Sequence, residues 1–412
     1  MSSNDLLVGL DIGTTKICCL VAEPNDEGGI DIRGMGTAPS TGMRKGMVTN
    51  VERTVNAIRQ AVDEAQRMAG CRIDSAFLGV AGGHVSSFNT SGMIAVENKT
   101  ITQRDINRVK ETALALSIPM DREVLHTITQ EFKVDDQPGI IDPPIGMNGV
   151  RLEVHVHVIT GAINAVHNVI NCALQAGIEV NDIILESVAS SEAVLTPEER
   201  QLGVALLDFG GGTTDIAIYS GCRIRHTAVL AMGGSNLTGD LSQSLHISLD
   251  SAEKLKVYHG CCNPAMITHD QYIEVPALGE MRPERVQLSV ICGLLTDRVE
   301  EIMEFINNEF IRCGFDEQIN GVVVTGGSSL LPGVPEIGRQ ILERPVRRGV
   351  PGHIGGLTEV VRDPKYSTAV GLCLFSVNQD SSGGSVKSIG FREGGRSIFA
   401  RIRDRLTSFF KG

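Results

Sequence analysis

The spacing of apolar residues sorts this chain into helices and strands before any motif is considered. In "NVERTVNAIRQAVDEAQRMAG", Val51, Val55, Ile58, Val62 and Met68 recur at helical intervals and a glycine ends the run. "SAFLGVAGG" then reads as a strand. "TQRDINRVKETALAL" is predicted to be a capped helix, "HTITQEFKVDD" a strand and "IDPPIGMNG" a loop. In "RLEVHVHVITG", Leu152, Val154, Val156 and Val158 share one face of a strand. His155 and His157 share the other, where they are expected to be solvated, since no third metal ligand is evident. "AINAVHNVINCALQAGIEV" is an amphipathic helix, and "AMGGSNLTGDLSQSL" sets a glycine pair before another. "DSAEKLKVYHG" is predicted to start a helix capped by Asp250 or Ser251, with Glu253 and Lys256 three apart on one face. A long acidic helix covers "SVICGLLTDRVEEIMEFINNEFIRCG". "GVVVTGGSSLLPGVPEIGRQIL" reads as strand, turn and helix, with small neutral residues that suit a flat purine.

"LLDFGGGTTDIAIY" interrupts an apolar run with three glycines between Asp208 and Asp215. Val204 to Leu207 and Ile216 to Tyr219 are predicted to form a hairpin. Its turn, Gly210, Gly211 and Gly212, is expected to use positive φ and to aim N–H groups into a concavity suited to phosphate. Carboxylates at both mouths would repel that phosphate, which points to a divalent cation between them. "LLVGLDIGTTKICCLVAE" repeats the pattern 197 residues earlier: Asp11 ends a strand, Gly13 turns it, Thr14 and Thr15 follow, and Lys16 is expected in the place of Asp215. Two such hairpins predict a duplicated fold whose halves face each other across a nucleotide.

Composition narrows the class. A chain of 412 residues, 42% hydrophobic and 21% charged, is expected to be globular with two to four domains. A net charge of −12 argues against a nucleic-acid partner. The ten cysteines include adjacent pairs and no C-x-x-C, so they read as small buried hydrophobes in a reducing cytoplasm. No signal peptide or membrane-spanning run is expected.

"LVGLDIGTTKI", "LGVALLDFGGGTTDIAIYSG", the glycine pair before "SAEKLK", "VVVTGGSSLLPG" and "YSTAVGL" together resemble the FtsA family of bacterial cell-division proteins, within the actin-like ATPases, along almost the whole chain. The resemblance implies an α/β, duplicated actin-like fold: two lobes around a nucleotide cleft, a small α+β inserted domain and a C-terminal amphipathic helix. The expected boundaries are a first core at 1–83, 161–195 and 361–378, an insertion at 84–160, and a second core at 196–231 and 311–360. A small helical and β subdomain is expected at 232–310, a flexible linker at 379–395 and the amphipathic helix at 396–412.

It further implies ATP in the cleft, with Gly13, Thr14, Thr15 and Lys16 on one side of the phosphates and Gly210, Gly211, Gly212, Thr213 and Thr214 on the other. Asp11, Asp208 and Asp215 would hold Mg2+, largely through water. Gly233, Gly234, Glu253 and Lys256 would approach ribose and base, and Gly326, Gly327 and Ser328 would close the adenosine pocket. Glu186 is the candidate for positioning a water, with weak ATPase activity at most. The family polymerises, recruits later division proteins at the division site, and tethers FtsZ filaments to the inner face of the cytoplasmic membrane. Arg298 and Asn307 are the candidates for the FtsZ carboxy-terminal tail. A sugar-kinase-type phosphotransferase is disfavoured because no general base is evident, a heat-shock chaperone because no peptide-binding domain is recognisable, and a type IV pilus ATPase because a membrane helix has no role there.

The carboxy terminus points to membrane independently. In "RSIFARIRDRLTSFFKG", Ile398, Phe399, Ile402, Leu406, Phe409 and Phe410 fall within an arc of about 120° on a helix. Arg396, Arg401, Arg403, Arg405 and Lys411 against Asp404 make this end +4 on a body of −16, which suits an anionic lipid surface. At about 1 kcal/mol per basic residue plus partial apolar burial, one copy is expected to bind weakly and a filament of copies firmly.

Overall fold

The computed structural model describes residues 6–115, 118–276, 284–381 and 386–388, without the side chains of 378–381 and 386–388. Residues 396–412, with every apolar and basic position assigned above to the membrane helix, lie outside the described residues.

The chain opens with β1 (Leu7–Ile12), β2 (Lys16–Pro24) and β3 (Ile30–Pro39), followed by α1 (Val51–Ala69) and β4 (Ser75–Val80). Local chemistry sets the ends of α1: Asn50 Oδ1 accepts from the Arg53 N–H at 2.9 Å, and Gly70 closes the helix at φ 66°. Then come β5 (Ser86–Ala95), α2 (Gln103–Leu114), β6 (Arg122–Val134) and β7 (Arg151–Ala162). The chain continues through α3 (Ile163–Ala176), β8 (Glu179–Leu185) and α4 (Glu186–Val194). A second set follows: β9 (Val204–Phe209), β10 (Thr214–Ser220), β11 (Arg223–Leu230), α5 (Gly234–Ser244), α6 (Leu249–His259) and α7 (Leu288–Cys313). The last elements used here are β12 (Gly321–Thr325), α8 (Val334–Leu342), β13 (Val346–Arg348), β14 (Ile354–Gly356), α9 (Ser367–Ser381) and β15 (Val386–Ser388).

Sheet order displays the duplication. The first sheet runs β8-β4-β1-β2-β3-β14 and the second β13-β12-β9-β10-β11. In each, an antiparallel meander (β1-β2-β3, β9-β10-β11) is extended by two parallel strands beyond its first member. Helices α4 and α9 bury Val188, Ala189, Ala369 and Leu372 between the sheets. They cross at backbone distance: a Cβ on Gly371 would strike the Ala189 carbonyl. The third sheet, β15-β6-β7-β5, has its own core of Val154, Val156, Val158, Ile106 and Phe132 against α2.

Several expectations change. The α6 cap is Ser248, whose hydroxyl accepts from the Ser251 N–H at 3.1 Å, so Asp250 sits inside the first turn. The chain rejoins the first sheet at β14, ahead of the expected position 361, because the open edge of β3 takes it up. The expected linker begins with the end of α9 and with β15, which pairs with β6 along the part of its edge that Gln137–Ile140 leaves open.

His157 is fully buried, not solvated, because its face of β7 lies against β11. Its Nδ1 lies 2.7 Å from Asn89 Oδ1 and its Nε2 2.9 Å from Thr227 Oγ1. Gln130 Nε2 also donates to Asn89 Oδ1, so that oxygen accepts and His157 is neutral with its proton on Nδ1. Burial, with His226 beside it, pushes its pKa down to about 3, and burial pushes His126 down to about 4. Both lie below the unfolded value of about 6.5, so between these limits the unfolded chain binds protons that the folded one refuses. Stability therefore rises with pH through that window and levels off above it. From pH 7 to pH 5 wild type is expected to lose about 2 kcal/mol more than His157→Gln in urea unfolding. Equal losses would contradict the buried neutral imidazole.

Candidate functional site

The two glycine hairpins meet face to face. A Cβ on Gly211 would strike the Thr15 side chain, and one on Gly212 would lie 2.5 Å from Thr14 Oγ1. None of Gly210, Gly211 or Gly212 has positive φ, contrary to expectation; glycine is required there by this close approach rather than by turn strain. The carbonyl of Gly210 accepts from the Gly234 N–H at 3.0 Å and from Ser328 Oγ at 2.7 Å, and that of Gly211 from the Ser235 N–H at 2.7 Å. These bonds tie the second loop to the start of α5. The N–H groups of Thr14, Gly211 and Gly212 find no protein acceptor among the described residues, which leaves them for a ligand.

Four carboxylates gather behind the loops. Asp11 and Asp208 are the penultimate residues of β1 and β9, Asp215 faces Asp208 across the β9–β10 pairing, and Glu186 begins α4. Register corrects one equivalence: Asp11 pairs with Cys18 as Asp208 pairs with Asp215, so Cys18, not Lys16, holds the place of Asp215. The two loops are equally long, and matching their Thr-Thr pairs, which stand at different places in each, hid this. Lys16 instead reaches back, its Nζ 3.0 Å from Asp11 Oδ2 and 5.3 Å from the Tyr366 ring centre. Asp208 Oδ2 accepts from Ser190 Oγ at 2.5 Å and Thr368 Oγ1 at 3.1 Å, which fix it from α4 and α9. The Asp215 Oδ1 atom is buried with no hydrogen-bond partner.

Electrostatics follows from that crowding. Burial, then the neighbouring Asp11, Asp215 and Asp208, pushes the Glu186 carboxyl well above the usual carboxylate range. Burial and Asp208 do the same to Asp215, and burial raises Asp208 against its hydroxyl donors. Burial alone would lower Lys16, but Asp11, Cys18 and Tyr366 together outweigh it and hold the ammonium above its ordinary value. One lysine cannot balance four acids. A divalent cation at this point would restore their ionised forms, and the orphaned Asp215 oxygen fits a hydrated ion. Among the described residues no three acidic or sulfur and nitrogen groups converge tightly enough to hold a bare ion, so water would intervene.

A cavity of about 300 Å3 extends from this point between the lobes. Its walls include Asp11, Gly13, Thr14, Thr15, Lys16, Asp208 and the second loop through Thr213, with Gly234, Glu253, Lys256, Gly326, Gly327 and Ser328 further out. Thr214, Asp215 and Gly233 stand behind the wall: the Thr214 hydroxyl donates to the Met232 carbonyl, and Gly233 caps α5 against the Gly210 backbone. Lys256 Nζ donates to Glu253 Oε2 at 2.7 Å and the Gly234 carbonyl at 3.1 Å, joining α5 to α6 at the outer end. Sequence reasoning missed Leu330, Leu331, Lys365 and Thr368, which also line the cavity. Lys365 immediately precedes the quoted "YSTAVGL" and Thr368 lies within it, which was the available signal.

Arg298 and Asn307 do not form one patch. Nine residues apart on α7, they stand about 180° apart. Arg298 is engaged by Asp240 at 2.6 Å and by Glu301. Among the described residues no helix is long and apolar enough to cross a membrane.

A family model described as cell division protein FtsA matches residues 205–371, and one described as the SHS2 domain inserted in FtsA matches residues 82–160. The cell division protein FtsA of Pseudomonas aeruginosa is 42% identical over 413 aligned positions, spanning 100% of this chain and 99% of that one. Among solved structures, a PilM-PilN type IV pilus biogenesis complex superposes with a TM-score of 0.65 at 15% identity, covering 90% of this chain and 98% of its own. MreB5 of Spiroplasma citri bound to ADP superposes at 0.56 and 14% identity, covering 93% and 100%. At those identities the two structures establish an actin-like fold and nothing finer.

Proposed function

The chain belongs to the FtsA family of bacterial cell-division proteins, and from that premise we propose that it binds ATP with Mg2+ in the interlobe cleft and tethers FtsZ filaments to the inner face of the cytoplasmic membrane. The observation that carries the nucleotide half is the charge imbalance at the head of the cleft: Asp11, Glu186, Asp208 and Asp215 face one lysine. Asp11, Asp208 and Asp215 would hold the hydrated ion, which when bound would screen the phosphates from the carboxylates. Thr14, Gly211 and Gly212 would supply N–H donors, and Lys16 a fixed cation opposite. Glu253 and Lys256 would meet the ribose, and Gly326, Gly327 and Ser328 the adenosine. Glu186, whose carboxyl burial and its acidic neighbours push upward, would be drawn toward its ionised form as the cation enters and could then orient a water.

The tethering half rests on the carboxy-terminal sequence and on family membership. The basic amphipathic stretch 396–412 would lie in the lipid interface, and α7 with Arg298 or Asn307 would receive the FtsZ carboxy-terminal tail. Self-association would multiply weak anchors into firm attachment and present a platform to later division proteins. The test of reception is a peptide copying the FtsZ tail, titrated into the full chain carrying Phe409→Glu and Phe410→Glu. Binding at least as tight as that of wild type is expected, with Arg298→Glu weakening it about tenfold or more, because one partly desolvated charge pair is lost. Unchanged binding in Arg298→Glu and in Asn307→Ala would remove α7 as the receptor.

A further inference from the structure

The outward face of α7 is unlike an ordinary solvated helix face. Phe305 and Ile311 are 47% and 61% exposed, and within about 140° of arc they are joined by Val290, Asp297, Glu300 and Glu304. The nearby cations are engaged elsewhere: Arg298 by Asp240 and Glu301, Arg312 by Glu309. Asp297, Glu300 and Glu304 have no cationic partner among the described residues, and at spacings of three and four they repel one another. Apolar groups interleaved with unbalanced negative charge mirror residues 396–412, where Phe399, Phe409 and Phe410 are interleaved with Arg401, Arg403 and Arg405.

Topology brings the two within reach. Val386 of β15 lies opposite Ile128 of β6, and Ile128 opposite His157 of β7, two steps of about 4.8 Å each. The His157 and His226 rings are 6.2 Å apart, and His226 Nε2 is 2.7 Å from Glu309 of α7. Residues 389–395 can span about 23 Å when extended, enough to bring the start of the amphipathic stretch to the carboxy-terminal half of α7.

We propose that the chain's own carboxy-terminal segment, residues 396–412, docks on the outward face of α7 when no membrane is present, so that docking and lipid binding compete. This rests on the amphipathic reading of that segment in the proposed function. Docking would hide the aromatic residues of the free protein from non-specific association, and anionic lipid would displace the segment by offering a larger apolar phase and more negative charge. The intramolecular arrangement supports a weak contact, because a short tether gives an effective concentration of roughly millimolar.

A fluorescent peptide copying residues 396–412 tests this without vesicles. The full chain carrying Phe409→Glu and Phe410→Glu, whose own segment is disabled, is expected to bind it about tenfold or more tightly than wild type, whose face is occupied. Adding Phe305→Ser, or Asp297→Asn with Glu300→Gln and Glu304→Gln, should remove that binding; these positions are outward-facing, so the fold is retained. In the wild-type background Phe305→Ser should tighten binding to anionic vesicles roughly threefold or more, with no change of net charge. Equal peptide binding by the disabled and wild-type chains, or binding indifferent to the α7 substitutions, would overturn the proposal. If peptide binding behaves as described while wild type ignores vesicles, docking stands and the membrane tether fails.

Discussion

Asp208→Ala and Gly211→Val are each expected to weaken Mg·ATP binding by at least about 100-fold, roughly 2.7 kcal/mol, in calorimetric titration. Asp208 is anchored by Ser190 and Thr368 and faces Asp215, so its removal takes away a fixed negative group at the proposed cation site and leaves two buried hydroxyls with only each other as partners. Gly211 fails differently. A valine there would drive the second loop off Thr15, because even a Cβ strikes that side chain, and would carry the N–H donors with it. Gly239→Ala is the matched control, since a Cβ at that helix position meets nothing within 4 Å. Loss in all three variants would indicate misfolding; retention of wild-type affinity in the first two would remove the cleft as the nucleotide site.

Phe409→Glu combined with Phe410→Glu is expected to release the protein from vesicles at every salt concentration. Two phenylalanines contribute about 1.5–3 kcal/mol each when buried, and each glutamate would have to enter the acyl boundary, so affinity should fall about 100-fold or more. Replacing Arg401, Arg403 and Arg405 by Gln acts on the other contribution. That variant should bind neutral vesicles as wild type does and anionic ones more weakly, with most of the difference gone in high salt. If the glutamate pair still sediments with vesicles as wild type does, the carboxy-terminal segment is not the anchor.

Much of the architecture was legible because local chemistry agrees with the tertiary outcome. Asn50 and Gly70 cap α1 as their residue types predict, Leu152 to Val158 alternate because one face of β7 is buried, and the paired Asp-Gly hairpins announced the duplication. What failed depended on partners distant in sequence. His157 looks like a solvated strand residue until β11, some 70 positions later, covers it. The counterpart of Asp215 was misassigned because the Thr-Thr pairs sit at different places in two loops of equal length, so matching them shifts the register that strand pairing fixes. Glycine in the second loop was credited with turn geometry, when the need comes from Thr14 and Thr15 of the other lobe. Leu330, Leu331, Lys365 and Thr368 lie in or beside recognisable segments, but that they wall the cavity follows only from the turns and helix end that the folded chain brings together.

Sedimentation of FtsZ filaments with anionic vesicles tests the tethering account most directly. With wild-type protein and Mg·ATP, filaments are expected in the vesicle pellet. They should be absent from it with the Phe409→Glu, Phe410→Glu chain, although that chain still binds the FtsZ tail peptide in solution. Filaments that reach the vesicles equally well with the wild-type and glutamate-pair chains would contradict the account.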